Sequence, residues 1–234
     1  MSKPLPIFEL ETDTISQWTD LSGHGYNAIQ PVVANQPAVI TDGAMFNQGA
    51  CYQFTANNHW MYIPNNPDID ITTEPFWLSI WCKSTRVWDP AQNDYTPFIG
   101  KHLGVSGYGF HVREVNAFNE LRVGMYIRGV GLEVAEYTLP DLFFADMWTK
   151  VDGVYDSDGY AHLYINGDYM TSSTNPMVLV SGYDLYIGRD NTPASGSIKY
   201  WDGYLARPRM LKNYEPSAAE IASQYKMDLT RIRG

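Results

Sequence analysis

The sequence has few of the features that mark membrane proteins, nucleic-acid binders and most enzymes. Of its 234 residues only 18% are charged, and 26 acidic side chains against 16 basic ones leave a net charge of −10. An acidic surface repels phosphate backbones, so no nucleic-acid partner is expected. No apolar stretch approaches the ~20 residues of a bilayer-spanning helix, so membrane insertion is not expected either. Cys51 and Cys82, the two cysteines, lie in strand-like runs without a neighbouring histidine pair. They read as buried free thiols rather than zinc ligands. The opening Met1-Ser2-Lys3-Pro4-Leu5-Pro6-Ile7 puts prolines where the apolar core of a leader would run. The chain is therefore expected to be made in the cytoplasm without a signal peptide.

Catalytic signatures are scarce as well. There is no nucleophile elbow, P-loop or dinucleotide fingerprint. His24, His59, His102, His111 and His162 fall in no metal-ligand spacing. Retaining glycosidases need two carboxylates about 5 Å apart. The nearest patterns are Glu11-Thr12-Asp13, with Ser16 in the third acid position, and Asp68-Ile69-Asp70, which reads as two acids on one strand face with no glutamate after them. Both read as solvated acids, so no catalytic residue is assigned and the chain is read as a non-enzyme.

What the chain has in abundance is aromatic surface. Aromatics make up 14% of the residues, with 17 Tyr and 7 Trp, and hydrophobic residues 44%. Such side chains fit pleated, half-buried strands, which points to an all-β chain. Phe76 to Lys83 is apolar on both faces and reads as a central strand covered on both sides. Leu121 to Arg128 alternates. Residues 148–171 read as three antiparallel strands joined by turns at Asp156-Ser157-Asp158-Gly159 and Asn166-Gly167. Ser217-Ala218-Ala219-Glu220 is a capping box, followed by Ile221 and Tyr225 one helical turn apart. No linker or repeat divides the chain. Residues 1–234 are expected to form one domain, with an N-terminal arm 1–14, a helix 217–226 and a tail 227–234.

These pieces together resemble a known family. Trp18-Thr19-Asp20-Leu21-Ser22-Gly23-His24-Gly25-Tyr26-Asn27-Ala28 is similar to the opening "W-x-D-x-S-G-x-G-x-x-A" segment of laminin-G-like jelly-roll domains, in the concanavalin A-like lectin/glucanase superfamily. Phe76 to Lys83 resembles their "F-T-x-S-x-W-V-K" strand. Trp148 to Asp156 with Leu163-Tyr164-Ile165-Asn166-Gly167 resembles the "W-x-H-V-A-x-x-Y-D … L-Y-x-N-G" hairpin. Leu185 to Arg189 with Trp201 to Leu205 resembles "L-x-I-G-x … F-x-G-x-I", and Pro216 to Ile221 the closing "L-S-x-x-E-I". The resemblance implies an antiparallel two-sheet jelly-roll β-sandwich, concanavalin A-like, with a short C-terminal helix. One departure is clear: Ala206 and Arg207 stand where the family carries an acidic pair, so no role resting on those acids carries over. Pro208 beside them lacks an N–H and is expected at a sheet edge or a bulge.

The resemblance implies binding rather than catalysis. No cofactor is firmly implied; the one the family allows is a Ca²⁺ ion at the sandwich rim, on Asp190, Asn191 and Asp202, with Asn93 and Asp94 able to approach. The plainer reading is that these are turn residues. Sugar recognition uses exposed aromatic faces, and the loop candidates are Trp60, Trp88, Tyr95, Tyr108, Tyr200 and Trp201. Trp88 stands out in the polar run Arg86-Val87-Trp88-Asp89-Pro90. The same aromatics are anchors in protein interfaces. The leading expectation is a non-catalytic structural or adhesive protein on a phage virion surface, a capsid decoration or tail component, that binds neighbouring subunits and host glycans. The alternative is a soluble lectin-like carbohydrate-binding module, Ca²⁺-dependent or not. A glucanase comes third.

Overall fold

The computed structural model describes residues 6, 8–12, 17–41, 50–55, 58–86, 95–103, 106–118, 120–129, 131–139, 147–179, 182–189 and 199–233. The N-terminal half forms strands β1 (Phe8–Thr12), β2 (Gln17–Asp20), β3 (Ala28–Ile29), β4 (Ala38–Thr41), β5 (Ala50–Phe54), β6 (Met61–Ile63), β7 (Phe76–Ser84) and β8 (Tyr95–Leu103). Then come β9 (Ser106–Val115), β10 (Glu120–Arg128), β11 (Leu132–Leu139), β12 (Thr149–Tyr155), β13 (Ala161–Ile165), β14 (Asp168–Ser172), β15 (Leu185–Ile187) and β16 (Gly203–Lys212). Helix α1 (Ala218–Arg233) closes the chain. No helix among the described residues is long and apolar enough to cross a membrane.

All strand pairs are antiparallel and build two facing sheets. One runs β4-β5-β16-β7-β12-β13-β14; the other runs β1-β2-β3-β6-β15-β8-β9-β10-β11. β1 belongs to both. Phe8 and Glu9 pair with Met210 and Arg209 of β16, while Leu10 to Thr12 pair with Asp20 to Trp18 of β2. The segment Phe8–Thr12, expected as part of the N-terminal arm, is thus a strand that ties the sheets along one side. Its alternation was too short to separate it from a loop.

β7 sits between β16 and β12, as its two apolar faces require. Phe76, Leu78, Ile80 and Cys82 point into the core between the sheets, where they share one cluster with Phe98, Tyr108, Phe110 and Met125. The sheets pack tightly against each other at Gly153 of β12. A Cβ there would lie 2.5 Å from Met125 Sδ and 2.5 Å from Phe110 Cε1. The three-strand reading of residues 148–171 holds as β12, β13 and β14. Asn166 and Gly167 take φ of 52° and 88°, the left-handed pair of a tight hairpin. Cys51 and Cys82 are buried thiols that form no disulfide.

Pro208 is not at an edge, since β16 has neighbours on both sides. The strand absorbs it in a bulge between Ala206 and Arg209, with Arg207 at φ 48°.

The other face of β7 carries Trp77 and Trp81, and α1 covers them. Ile221 packs with Trp77, and Tyr225 stacks on Trp81 with ring centroids 5.8 Å apart. The capping box forms: Ser217 Oγ accepts from the Glu220 amide at 3.3 Å, and the Ser217 amide donates to Glu220 Oε2 at 2.8 Å. The helix runs on to Arg233, through most of what the sequence marks as a tail. Leu229 continues the apolar face, and Asp228 continues the anchoring. Its carboxylate lies 2.9 Å from Lys150 Nζ and 3.6 Å from Arg209 Nη2, and it accepts from Gln224 at 2.9 Å. Burial would raise the Asp228 pKa, but Lys150 and Arg209 outweigh it and hold the carboxyl below its ordinary value. Lys150 also lies 3.3 Å from Asp152, which accepts from Trp77 Nε1 at 3.0 Å. The helix is docked on a buried ionic network as well as on tryptophans.

Two outcomes follow. Gly153→Val forces a branched side chain into the sheet contact and is expected to cost about 1–3 kcal/mol by chemical denaturation. Asp228→Ala leaves Lys150 buried with Asp152 as its one acidic partner among the described residues. The expected loss is about 2–3 kcal/mol, below the ~3–5 of a wholly unpaired buried charge. A red shift in tryptophan emission should accompany it as α1 lifts from Trp77 and Trp81.

Candidate binding face

Strand alternation decides what the second sheet shows to the outside. In β6, Met61 and Ile63 enter the core, so Tyr62 between them points outward. In β15, Leu185 and Ile187 enter the core and Tyr186 points outward, directly opposite Tyr62 in the register. Trp60 just before β6 joins them: its ring centroid is 5.6 Å from both Tyr62 and Tyr186. The Arg189 guanidinium lies over Trp60 at 3.7 Å and over Tyr186 at 4.3 Å. A planar guanidinium stacks on rings while its edge donors stay available. Trp60, Tyr62 and Arg189 are half-buried, whereas Tyr186 is covered by its neighbours.

The row continues across the sheet. Tyr186 is paired with Gly100, Gly100 with Gly109, and Gly109 with Tyr126. A Cβ at Gly109 would lie 2.5 Å from the Tyr126 hydroxyl, so that ring crosses the strands where only glycine leaves room. His111 stacks beside Tyr126, with centroids 5.7 Å apart, and Tyr95 packs against His111 at 4.9 Å. His111 Nε2 meets Glu136 at 3.0 Å. Burial would raise the Glu136 pKa, but His111, Arg113 and Arg122 together hold it below its ordinary value.

At the rim beside Tyr62 opens a cleft of about 370 Å³, lined by Tyr26, Asn27, Ile29, Pro64, Asn65 and Asn66. Asp184 joins it to the aromatic patch: it accepts from Tyr186 Oη at 3.4 Å and from the Asn65 amide at 2.8 Å. The loop that forms one wall is organised by Asp20, the acid of the opening motif. Asp20 accepts from the amides of Glu9 (3.1 Å), Ser22 (2.9 Å) and Tyr26 (3.0 Å) and from Ser22 Oγ (2.7 Å). Burial alone would raise its pKa; these donors lower it instead. His24 Nδ1 is 3.0 Å from Ser22 Oγ, yet the serine hydroxyl is already directed at Asp20. The trio is a loop clasp, not a nucleophile with its base.

The sequence candidates separate into groups. Trp60 lies at the centre of the aromatic patch, and Tyr95 sits at the far end of the row. Tyr108 and Trp201 are corrected: both are wholly buried. Tyr108 donates to the Ile69 carbonyl at 2.9 Å and packs on Phe76, and Trp201 packs on Phe98 at 5.2 Å. Neither offers a face to a ligand, because the loops that seemed to carry them are strand or core-lining backbone. Tyr200 is half-buried in a bridge to Arg189. Trp88, Asn93, Asp94, Asp190 and Asn191 lie outside the described residues. Asp202 directly precedes β16, its carboxylate accepting from Thr85 Oγ1 at 3.0 Å. Among the described residues no group of three or more His, Cys, Asp or Glu is placed to hold a metal. Asp68 and Asp70 are not on a strand. Asp68 accepts from the Tyr26 hydroxyl, and Asp70 pairs with Lys101 at 2.8 Å. Sequence reasoning missed Tyr62, Tyr186, Arg189 and the asparagines; the alternation in β6 and β15 was the available signal.

The hydrogen bond to Asp68, ahead of burial, pushes the Tyr26 hydroxyl from its ordinary 10 up to about 12. This contact is therefore intact below pH 10 and is lost as pH rises through about 12. Asp68→Asn should bring one tyrosine back toward 10 in an ultraviolet titration, and Tyr26→Phe should remove that tyrosine from the curve.

A profile of the concanavalin A-like lectin/glucanases superfamily matches residues 55–222. No curated protein matches the sequence. Among solved structures, the botulinum neurotoxin serotype G binding domain aligns with TM-score 0.70 and 14% identity, over 95% of this chain and 51% of that one. The binding domain of Paraclostridial Mosquitocidal Protein 1 gives TM-score 0.67 and 14% identity, over 95% and 52%. The binding domain of botulinum neurotoxin DC, solved in complex with rat synaptotagmin II, gives 0.66 and 12%, over 96% and 52%. This chain spans about half the length of each, and identities this low speak for the fold alone. With the profile covering most of the chain, from β6 to α1, the protein belongs to the concanavalin A-like lectin/glucanases superfamily.

Proposed function

We propose that this chain is a non-catalytic binding domain of lectin-like fold whose ligand is a glycan. The observation that carries the reading is the half-exposed Trp60–Tyr62 patch, with Arg189 stacked on it, opening directly onto an asparagine-lined cleft. Aromatic faces cover the C–H faces of a sugar, and a few fixed amides and carboxylates meet its hydroxyls. Asp68 and Asp70, the acids of the sequence pattern near this cleft, are engaged by Tyr26 and Lys101. The neighbours in fold are described as binding domains, one of them in complex with rat synaptotagmin II; that is in keeping with a binding role for the domain.

A protein partner is the second reading. Val33 is 80% and Val32 50% exposed in the turn whose Asn35 carbonyl accepts from the Trp60 amide at 3.1 Å. An apolar pair beside a tryptophan also suits an interface anchor. The virion-surface expectation is a narrower form of this second reading.

The test is a printed array of neutral and acidic oligosaccharides probed with the full chain and with Trp60→Ala and Tyr62→Ala. The expected result is a defined set of glycans whose signal falls at least about tenfold in Trp60→Ala, the scale of one lost stacking contact. If the array is blank and the chain self-associates through a contact that Val33→Asp disrupts, the protein reading replaces it.

A further inference from the structure

The glycan reading leaves open what chemistry the cleft selects, and two of its asparagines answer that. Lys101 of β8 is wholly buried. Its ammonium donates to Asn65 Oδ1, to the Tyr183 carbonyl and to Asp70, the last at 2.8 Å. An ammonium has donors only, so Asn65 has to turn its carbonyl oxygen toward Lys101. The Asn65 NH2 is thereby directed away from the lysine. Asn27 is fixed in the same sense: its Oδ1 accepts from the Asp20 backbone N–H at 2.8 Å. That donor likewise admits only the oxygen. Amide orientation is ordinarily a matter of assignment, but here both partners are obligate donors and settle it. Both asparagines line the cleft, and neither NH2 makes a hydrogen bond among the described residues.

We infer that Lys101 and the Asp20 amide act as positioning groups that lock Asn65 and Asn27 with their NH2 donors facing the cleft. The site therefore selects ligands that present acceptor oxygens there, such as the hydroxyl or acetamido carbonyl oxygens of a neutral sugar. This rests on the glycan reading for the ligand class; the lock itself does not. Burial pulls Lys101 below the ordinary lysine value, while Asp70 and Asp184 act against that. With its three N–H bonds directed at Asn65, Tyr183 and Asp70, the ammonium has no donor left over for a ligand.

Two measurements test it. In the first, side-chain amide NMR of the ligand-free chain compares wild type with Lys101→Met. The expected result is a shift and broadening of the Asn65 NH2 pair, with the Asn27 pair unmoved as an internal control of folding. An unchanged Asn65 pair in a folded Lys101→Met overturns the lock, and Lys101→Arg, which retains donors, checks the case in which Lys101→Met does not fold. In the second, the oligosaccharides that bind wild type on the array are titrated against Asn65→Asp and Asn27→Asp. These variants keep the acceptor that faces inward and lose the NH2. Binding is expected to weaken about tenfold in each, the scale of one net hydrogen bond. A glycan whose binding depends on Trp60 but not on Asn65 or Asn27 overturns this inference and leaves the glycan reading standing. An array with no binder overturns the glycan reading and the ligand class together.

Discussion

β7 has apolar side chains on both faces, and a strand of that kind has to be covered twice. Its inner face meets the second sheet around Phe98, Phe110 and Met125, at a separation set by the missing side chain of Gly153. Its outer face exposes Trp77 and Trp81, which would be a large apolar patch if left open. Helix α1 covers them, and the long docking needs Asp228 held by Lys150 and Arg209. Both cations project from strands flanking β7. The helix, the ionic network and the two-sheet core thus answer to one constraint on one strand.

The candidate binding face is built by the opposite use of alternation. In the second sheet alternate residues of β6 and β15 enter the core, so the residues between them point to the opposite face, and the chain has placed rings there. Polar groups then fix the loops at the rim. Asp20 ties the loop amides of Ser22 and Tyr26 to that of Glu9 in β1, and Lys101 gathers acceptors from two other loops. Buried polar groups are costly unless fully partnered, so these contacts make the rim stiff and leave defined donors facing solvent. Stiffness lowers the ordering cost of binding.

Local patterns carried the reading wherever the deciding contacts were close in sequence. The Asn166-Gly167 turn, the Ser217–Glu220 capping box and the doubly apolar β7 depend on neighbours a few residues away, and each stands as read. Tyr108 and Trp201 could not be placed in that way. Their burial depends on Ile69, Phe76 and Phe98, which reach them only once the sheets have closed. The length of α1 shows the same division. Its start is local, but its last turns depend on Lys150 and Arg209, far back in the chain.

By itself, then, the sequence determined an all-β chain, its central strand, its tight hairpin and its helix cap, because alternation and turn chemistry act over a few residues. It also offered Trp60 as one of several candidate aromatics. Only the tertiary structure decided which other aromatics join Trp60, since Tyr62 and Tyr186 become neighbours through the pairing of β6 with β15. Only the tertiary structure fixed the direction of the Asn65 amide, because the donor that orients it is a lysine 36 residues away along the chain.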